Sequence, residues 1–169
     1  MCQTQEPIDP TWQCIWTTGI WPKVSTFIWL MYHQRILTWD NLIKRGFHGP
    51  SYCPNCQNNE ETIQHLMDSC RMANQLWEKL TFRCQRPCRI LGDLRGTICN
   101  WTPAPYNNKI LNMLWTILPG HLVWTIWKER KKWIFKNHQT SLEIIWTNLC
   151  QNIKETLALH QWTIKDFPT

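Results

Sequence analysis

Residues 51–70 read SYCPNCQNNEETIQHLMDSC, and four potential metal ligands follow one another in the pattern C-x₂-C-x₈-H-x₄-C. The first two cysteines flank a Pro-Asn pair, and such a turn directs both sulfur atoms toward one point. The eight-residue loop then returns a histidine on a short helix, and the last cysteine follows at its end. Three thiolates and one imidazole close a tetrahedron and leave no position for water. The stretch predicts one structural Zn²⁺ ion on Cys53, Cys56, His65 and Cys70.

An alternative interpretation of the same residues needs no metal. Free cysteine often behaves as a small buried hydrophobe, and the histidine would then lie at the surface. Small polar neighbours such as Ser51 and Asn58 argue against a purely apolar role. Cys84 and Cys88 with Cys99 lack a fourth ligand nearby, so no second site is predicted there.

Helical patterns lie on the N-terminal side of this stretch. Pro22 suits the first position of a helix, and apolar residues follow it at helical spacing through residue 36. Thr38 is predicted to cap a second, short helix that ends before Gly46.

Helical patterns also follow the stretch, over residues 71–82, 108–118, 121–135 and 141–160. The apolar run Ile110–Trp127 is long enough to raise the question of a membrane span. Two shorter buried helices joined at Pro119-Gly120 are predicted instead, because proline interrupts a helix. Thr140 and Glu143 are predicted to form a capping box at the start of the last helix.

These patterns predict a mainly α fold, in which a small zinc-stapled helical module precedes a helical extension. Proline and glycine cluster in residues 83–106, which is typical of a connector. The predicted organisation is an N-terminal tail (1–11), a zinc-binding domain (12–82), the connector (83–106) and a helical C-terminal region (107–162).

Composition and charge narrow the functional classes. Thirteen tryptophans predict a core dominated by aromatic packing, and the formal charge of +6 favours acidic partners such as nucleic acid. The N-terminus lacks a basic segment followed by an apolar one, so secretion is not expected. We expect a nuclear or cytoplasmic protein whose nine cysteines stay reduced and that has no membrane partner.

Several segments resemble the zinc-binding domain found in plant non-LTR retrotransposon reverse transcriptases. They are, in order, Trp12 and Trp16, WPKVSTFIWLMYHQRILTWDNLIKRG (21–46), CPNC (53–56), EETIQHLMDSC (60–70) and NQLW (74–77). Farther on, VWTIWKERKKWIF (123–135) is similar to the W-x-x-W-x-x-R-N segment that often follows in this family, and SLEIIWTNL (141–149) is similar to its next helix. Lys131 departs from the family pattern, which usually has asparagine there.

The resemblance implies a non-catalytic accessory module of a retroelement reverse transcriptase, with nucleic acid and the polymerase domain as partners. An enzyme is not expected, because no Asp-Asp pair for polymerase metal ions occurs and the acidic residues form no nuclease-like cluster. Two alternatives remain open. One is a protein-interaction module that docks through exposed Trp and Leu stripes, and the other is a retroelement remnant without a selected function.

Basic residues in two clusters are candidates for phosphate contact. One cluster flanks the cysteine-rich loop and the other lies among tryptophans farther on; the candidates are Lys44, Arg45, Arg71, Lys128, Arg130, Lys131, Lys132 and Lys136. Aromatic neighbours of the second cluster could stack on unpaired bases. The alternative is that these charges only solvate the outer face of a helix whose tryptophans belong to the core.

Overall fold

The computed structural model describes residues 15–16, 19–86 and 106–159, and the regular structure in these ranges is helical. We name the helices α1 (Pro22–Tyr32), α2 (Trp39–Ile43), α3 (Arg71–Cys84), α4 (Lys109–Lys136) and α5 (Leu142–Leu159); a π-helical turn, His65–Ser69, precedes α3. Within the described ranges, extended pairing is limited to an isolated antiparallel bridge between Tyr52 and Glu60. The predicted mainly α fold is confirmed.

The two N-terminal helices begin where the sequence predicts. Pro22 occupies the start of α1, where its missing N–H costs nothing. Thr38 precedes α2, but its hydroxyl donates to the Asp40 carboxylate at 2.6 Å instead of capping a backbone N–H. Gly46 has a φ of +84°, a conformation that glycine adopts without strain.

Helix α4 corrects the prediction of two helices joined at Pro119-Gly120, because it runs without a break through both residues. Pro119 cannot donate the helical hydrogen bond to the carbonyl of Trp115, a loss that costs about 3 kcal/mol in a helix interior. Burial on both sides of the proline offsets that cost, since Ile117 and Leu122 are completely buried.

Close packing of α1 on α4 is centred on Gly120. A Cβ atom there would lie 2.6 Å from Cδ1 of Ile20 and 2.8 Å from Cδ1 of Ile28. The absence of a side chain therefore lets the two helices approach at this point.

Helix α4 is also long and apolar enough to cross a membrane by length and composition alone. Its most apolar 18-residue window is 61% buried inside the protein, where α4 packs against α1 and α5. A helix buried at the centre of a helical core can have the same length and composition, so these two properties do not by themselves indicate a membrane span.

The start of α5 differs from the predicted capping box. The helix begins at Leu142, and the Glu143 carboxylate accepts hydrogen bonds from Lys79 Nζ at 2.8 and 2.9 Å. Thr140 Oγ1 is buried and has no hydrogen-bond partner among the described residues. Glu143 therefore joins α5 to α3, and the predicted reciprocal pair does not form.

One hydrophobic core includes residues from both sides of the predicted connector. Trp77 of α3 is 1% exposed and donates from Nε1 to the carbonyl of Met67 at 2.9 Å, while α4 and α5 contribute buried aliphatic side chains to the same cluster. The predicted tail (1–11) and most of the connector (87–105) lie outside the described residues, so the division into 12–82 and 107–162 stays a prediction.

His121 is a buried ionisable group in this core. Its Nε2 lies 2.9 Å from the Thr156 hydroxyl, and its Nδ1 has no hydrogen-bond partner among the described residues. Burial, followed by the positive charges of Lys128 and Lys23, lowers the pKa of His121 to about 4. The imidazole is therefore neutral in the folded protein near neutral pH.

We expect His121 to make the fold acid-sensitive. The histidine of the unfolded chain, with a pKa near 6.5, takes up a proton more readily than the folded one, so stability is full above pH 6.5 and falls toward pH 4. Between pH 7 and pH 5 this group should remove about 2 kcal/mol of unfolding free energy. Urea unfolding of wild type and His121→Gln with saturating zinc measures the effect as the difference between their pH profiles. Parallel profiles would contradict it.

Candidate metal centre

The four predicted ligands converge. The ligand atoms of Cys53, Cys56, His65 and Cys70 all lie within 4.8 Å of one another. Sγ of Cys53 and Sγ of Cys70 are 3.8 Å apart, and Sγ of Cys56 is 3.2 Å from Nε2 of His65. A tetrahedral Zn²⁺ ion with ordinary bond lengths would set these separations at about 3.8 Å and about 3.6 Å. The cluster is thus compatible with one metal ion.

A tight loop presents the first two cysteines. The amide of Cys53 donates to the carbonyl of Asn59 at 2.7 Å, and the amide of Gln57 donates to the carbonyl of Cys53 at 2.8 Å. Gln57 has a φ of +58°, so the chain reverses immediately after Cys56. We call residues 53–57 the knuckle. Its backbone bonds hold both sulfur atoms on one side of the loop.

The π-helical turn presents the other two ligands. The amide of Cys70 donates to the carbonyl of His65 at 2.7 Å, which is an i to i+5 bond and widens the turn. The Ser69 hydroxyl lies 3.4 Å from Nδ1 of His65, and a partner on Nδ1 leaves Nε2 facing the cysteines. The sequence predicts a short helix here. Its wider geometry depends on i to i+5 backbone bonds that apolar periodicity does not reveal.

Cys53 and Cys70 of the cluster share a hydrogen bond that shifts the pKa of both thiols. A hydrogen bond from Cys53 lowers the pKa of Cys70 to about 5, and the same bond raises the pKa of Cys53. Cys53 and Cys70 are both completely buried, and Cys56 and His65 are half-buried. Since metal coordination replaces thiol protons, an ion at this point would satisfy buried groups that otherwise share a proton.

Glu61 lies beside the site and is not one of the predicted ligands or basic residues. It is 2% exposed and forms two bonds with Arg130 of α4, Nε to Oε1 at 2.7 Å and Nη2 to Oε2 at 3.0 Å. Its Oε2 also accepts a hydrogen bond from the amide of Trp39 at 3.0 Å, and its backbone carbonyl accepts one from the amide of Asp40 at 3.2 Å. Glu61 thus joins the loop of the metal ligands to α2 and to α4. Two features of the sequence could have pointed to this ion pair. One is an acidic residue four positions before His65, and the other is a single arginine between Trp127 and Trp133.

The burial of Arg130 corrects its prediction as a phosphate contact. Its guanidinium is 5% exposed, pairs with Glu61 and stacks over Trp127 with its carbon 4.8 Å from the ring centroid. The charge is therefore used inside the protein. Lys131, at the departure from the family pattern, lies with Nζ 5.5 Å from the centroid of Trp124.

The other predicted basic residues differ in exposure. The exposed ones lie at helix ends: Lys44, Arg45, Arg71 and Lys136. Lys128 and Lys132 are only partly exposed, burial lowers the pKa of Lys128, and Lys132 pairs with Glu129 at 2.6 Å. The second cluster therefore offers fewer free charges than its sequence suggests.

Comparisons with known proteins agree with the geometry. Residues 1–77 match the family model described as zinc-binding in reverse transcriptase, which confirms the resemblance predicted from the sequence. The match covers 77 of the 169 residues, and the domain that this part of the chain resembles is an accessory one and not the catalytic one.

One plant protein is similar to the chain at low sequence identity. A protein of Arabidopsis thaliana, provisionally named a ribonuclease H protein, is 22% identical over 119 residues. The alignment covers 69% of this chain and 18% of the relative, so the chain spans a small part of that protein's length. No solved structure matches the chain.

We predict that the Glu61–Arg130 pair stabilises the fold. Glu61→Gln leaves the buried guanidinium without a counter-charge, and losses of about 3 kcal/mol are typical of that change. The adjacent, exposed Glu60→Gln should change the free energy of unfolding by less than about 0.5 kcal/mol. The double variant Glu61→Gln/Arg130→Met should recover part of the loss, because no unpaired charge remains. Urea unfolding of wild type, Glu61→Gln, Arg130→Met, the double variant and Glu60→Gln measures the coupling. If the effects of Glu61→Gln and Arg130→Met add up to that of the double variant, the two residues are not coupled.

Proposed function

We propose that this chain is a non-catalytic, zinc-binding accessory module of a retroelement reverse transcriptase that contacts nucleic acid without sequence specificity. The convergence of three thiols and one imidazole within 4.8 Å carries the proposal. Three soft sulfur ligands and one nitrogen favour Zn²⁺ over oxygen-preferring cations such as Mg²⁺ or Ca²⁺. Thiolate ligands also fit a reducing compartment, the nucleus or the cytoplasm.

A structural role for the ion is supported by the closed ligand set. Cys53, Cys56, His65 and Cys70 would fill all four positions of a tetrahedral ion and leave none for water or substrate. The ion would supply cross-linking between the knuckle and the π-helical turn. Residues 1–77 match an accessory domain, which supports a role beside a polymerase domain.

Nucleic-acid contact is supported by charge and position. The chain carries a formal charge of +6. Lys44 and Arg45 follow α2, and Glu61, which lies between the knuckle and His65, accepts a hydrogen bond from the first residue of α2. Arg71 directly follows the ligand Cys70 and is exposed. Phosphate neutralisation by such residues gives salt-dependent, sequence-independent binding.

Protein docking is the second candidate function. Phe82 at the end of α3 is 79% exposed, and Phe135 near the end of α4 is 76% exposed. A partner that covered these side chains would bury apolar aromatic surface, which favours association. Binding through them would be insensitive to salt, in contrast to binding through phosphates.

We expect one zinc ion per chain, and we expect its removal to unfold the region of residues 22–80. Elemental analysis should find a molar ratio near one, and chelation should reduce the far-ultraviolet circular dichroism and the amide protection of α1 and α3. Cys56→Ser should lower the zinc content, whereas Cys150→Ser, outside the cluster, should leave it unchanged. Unchanged helicity in protein shown to be metal-free would overturn the structural role.

We also expect binding to single-stranded RNA that weakens with salt. Fluorescence anisotropy with a labelled 20-nucleotide strand gives the slope of log affinity against log salt. Lys44→Gln/Arg45→Gln should reduce that slope by about 1.4, because each phosphate contact contributes about 0.7. Lys109→Gln/Lys154→Gln removes the same charge from exposed positions elsewhere and should reduce it less. No binding at low salt would refute nucleic-acid contact.

A further inference from the structure

A cleft of about 480 Å³ opens beside the knuckle. Pro54 and Asn55 of the knuckle line one side of it, and Arg71 of α3, Trp133 of α4 and Thr140 before α5 also line it. The volume is in the range of small-molecule sites in proteins, about 300 to 1,000 Å³. The cleft is separate from the four metal ligands, none of which lines it.

Three side chains of this cleft carry buried polar atoms that have no hydrogen-bond partner among the described residues. They are Asn55 Nδ2, Glu129 Oε2 and Thr140 Oγ1. Glu129 is 5% exposed, and only its Oε1 is paired, with Lys132 Nζ at 2.6 Å. An unpaired buried carboxylate oxygen is costly, so a ligand that donates to it would be stabilised.

The chemistry of the walls defines the ligand. Glu129 accepts N–H donors, Asn55 donates to a carbonyl or ring nitrogen, and Trp133 offers a half-buried aromatic face. The Arg71 guanidinium provides a cation at an exposed position. A nucleotide combines all of these features: an edge with donors and acceptors, a flat ring and a phosphate.

We propose that the cleft binds one unpaired nucleobase of a single-stranded nucleic acid, guanine in preference to the others, with its phosphate toward Arg71. Guanine presents N1–H to the free Oε2 of Glu129, its adjacent amino group would share Oε1 with Lys132 Nζ, and its O6 accepts from Asn55. Uracil presents a single ring N–H and fits least well. This inference rests on the proposed function, which it deepens by adding one base-selective site to phosphate contacts that are themselves independent of sequence.

An inorganic phosphate or an acidic peptide does not fit the same cleft. The Glu129 carboxylate would repel an anion that entered as far as the buried oxygen. The phosphate is therefore expected at Arg71, on the exposed side, and the base inside. Recognition through base edges and stacking is the usual mode for unpaired nucleotides.

Anisotropy with labelled hexanucleotides tests the inference. The probes are UUGUUU, the same strand with adenine, cytosine or uracil in place of guanine, and the same strand with an abasic residue there, each as RNA and as DNA. Equal binding of the strands with the four bases would refute the preference for guanine. Wild type should bind the guanine strand about tenfold more tightly than the abasic one, because stacking of one base contributes at this scale. RNA and DNA should show the same ratio, because the proposed contacts are to the base and not to the 2′-hydroxyl.

Matched variants connect that ratio to the cleft. Trp133→Leu and Glu129→Gln should each bring the ratio to about twofold or less, and urea unfolding checks that they remain folded. The controls Trp146→Leu and Glu155→Gln make the same changes at residues that do not line the cleft, and they should keep the wild-type ratio.

Two results would overturn the inference and are distinguishable. If wild type binds guanine and abasic strands equally, phosphate binding stands and the base site is refuted. If no hexanucleotide or longer strand binds at low salt, nucleic-acid contact itself is refuted, and the base site with it. A ratio retained in both Trp133→Leu and Glu129→Gln would also exclude this cleft as the site.

Discussion

The convergence of four ligand atoms within 4.8 Å is the constraint on which the arrangement of the N-terminal half depends. Between Phe47 and Asn59 the chain is mostly exposed, so apolar burial alone offsets little of the entropy lost when this loop adopts one conformation. A metal ion bound by the knuckle and the π-helical turn would stabilise that conformation. It would fix where the loop leaves α2 and where α3 begins, because Cys70 is both a ligand and the residue before α3.

Glu61 extends this constraint to the rest of the molecule. It lies between the knuckle and the turn that carries His65, and it holds Arg130 in a buried ion pair of two hydrogen bonds. A buried ion pair adds little net stability over apolar packing, but it tolerates few alternative arrangements because either charge alone would be costly. The pair therefore sets how α4 lies against the metal-binding loop.

Much of this structure could be predicted from local patterns. The ligand set follows from spacing, and α1, α3 and α5 follow from apolar periodicity and from Pro22. The errors lie where a contact distant in sequence decides the outcome. Pro119 stays within a helix because packing on both sides outweighs one lost hydrogen bond, and Glu143 bonds to Lys79 of α3 instead of capping its own helix.

Arg130 shows the same limit for function. Its position in a run of lysines predicts a phosphate contact. Its structural role depends on the ion pair with Glu61, which lies 69 residues earlier in the chain. The family match ends at residue 77, yet Arg130 and the walls of the cleft at Trp133 and Thr140 come from the helices beyond it. Removal of those helices would leave Glu61 without its counter-charge beside the metal ligands. The unit that organises the metal site therefore extends past the matched domain, into α4 and the start of α5.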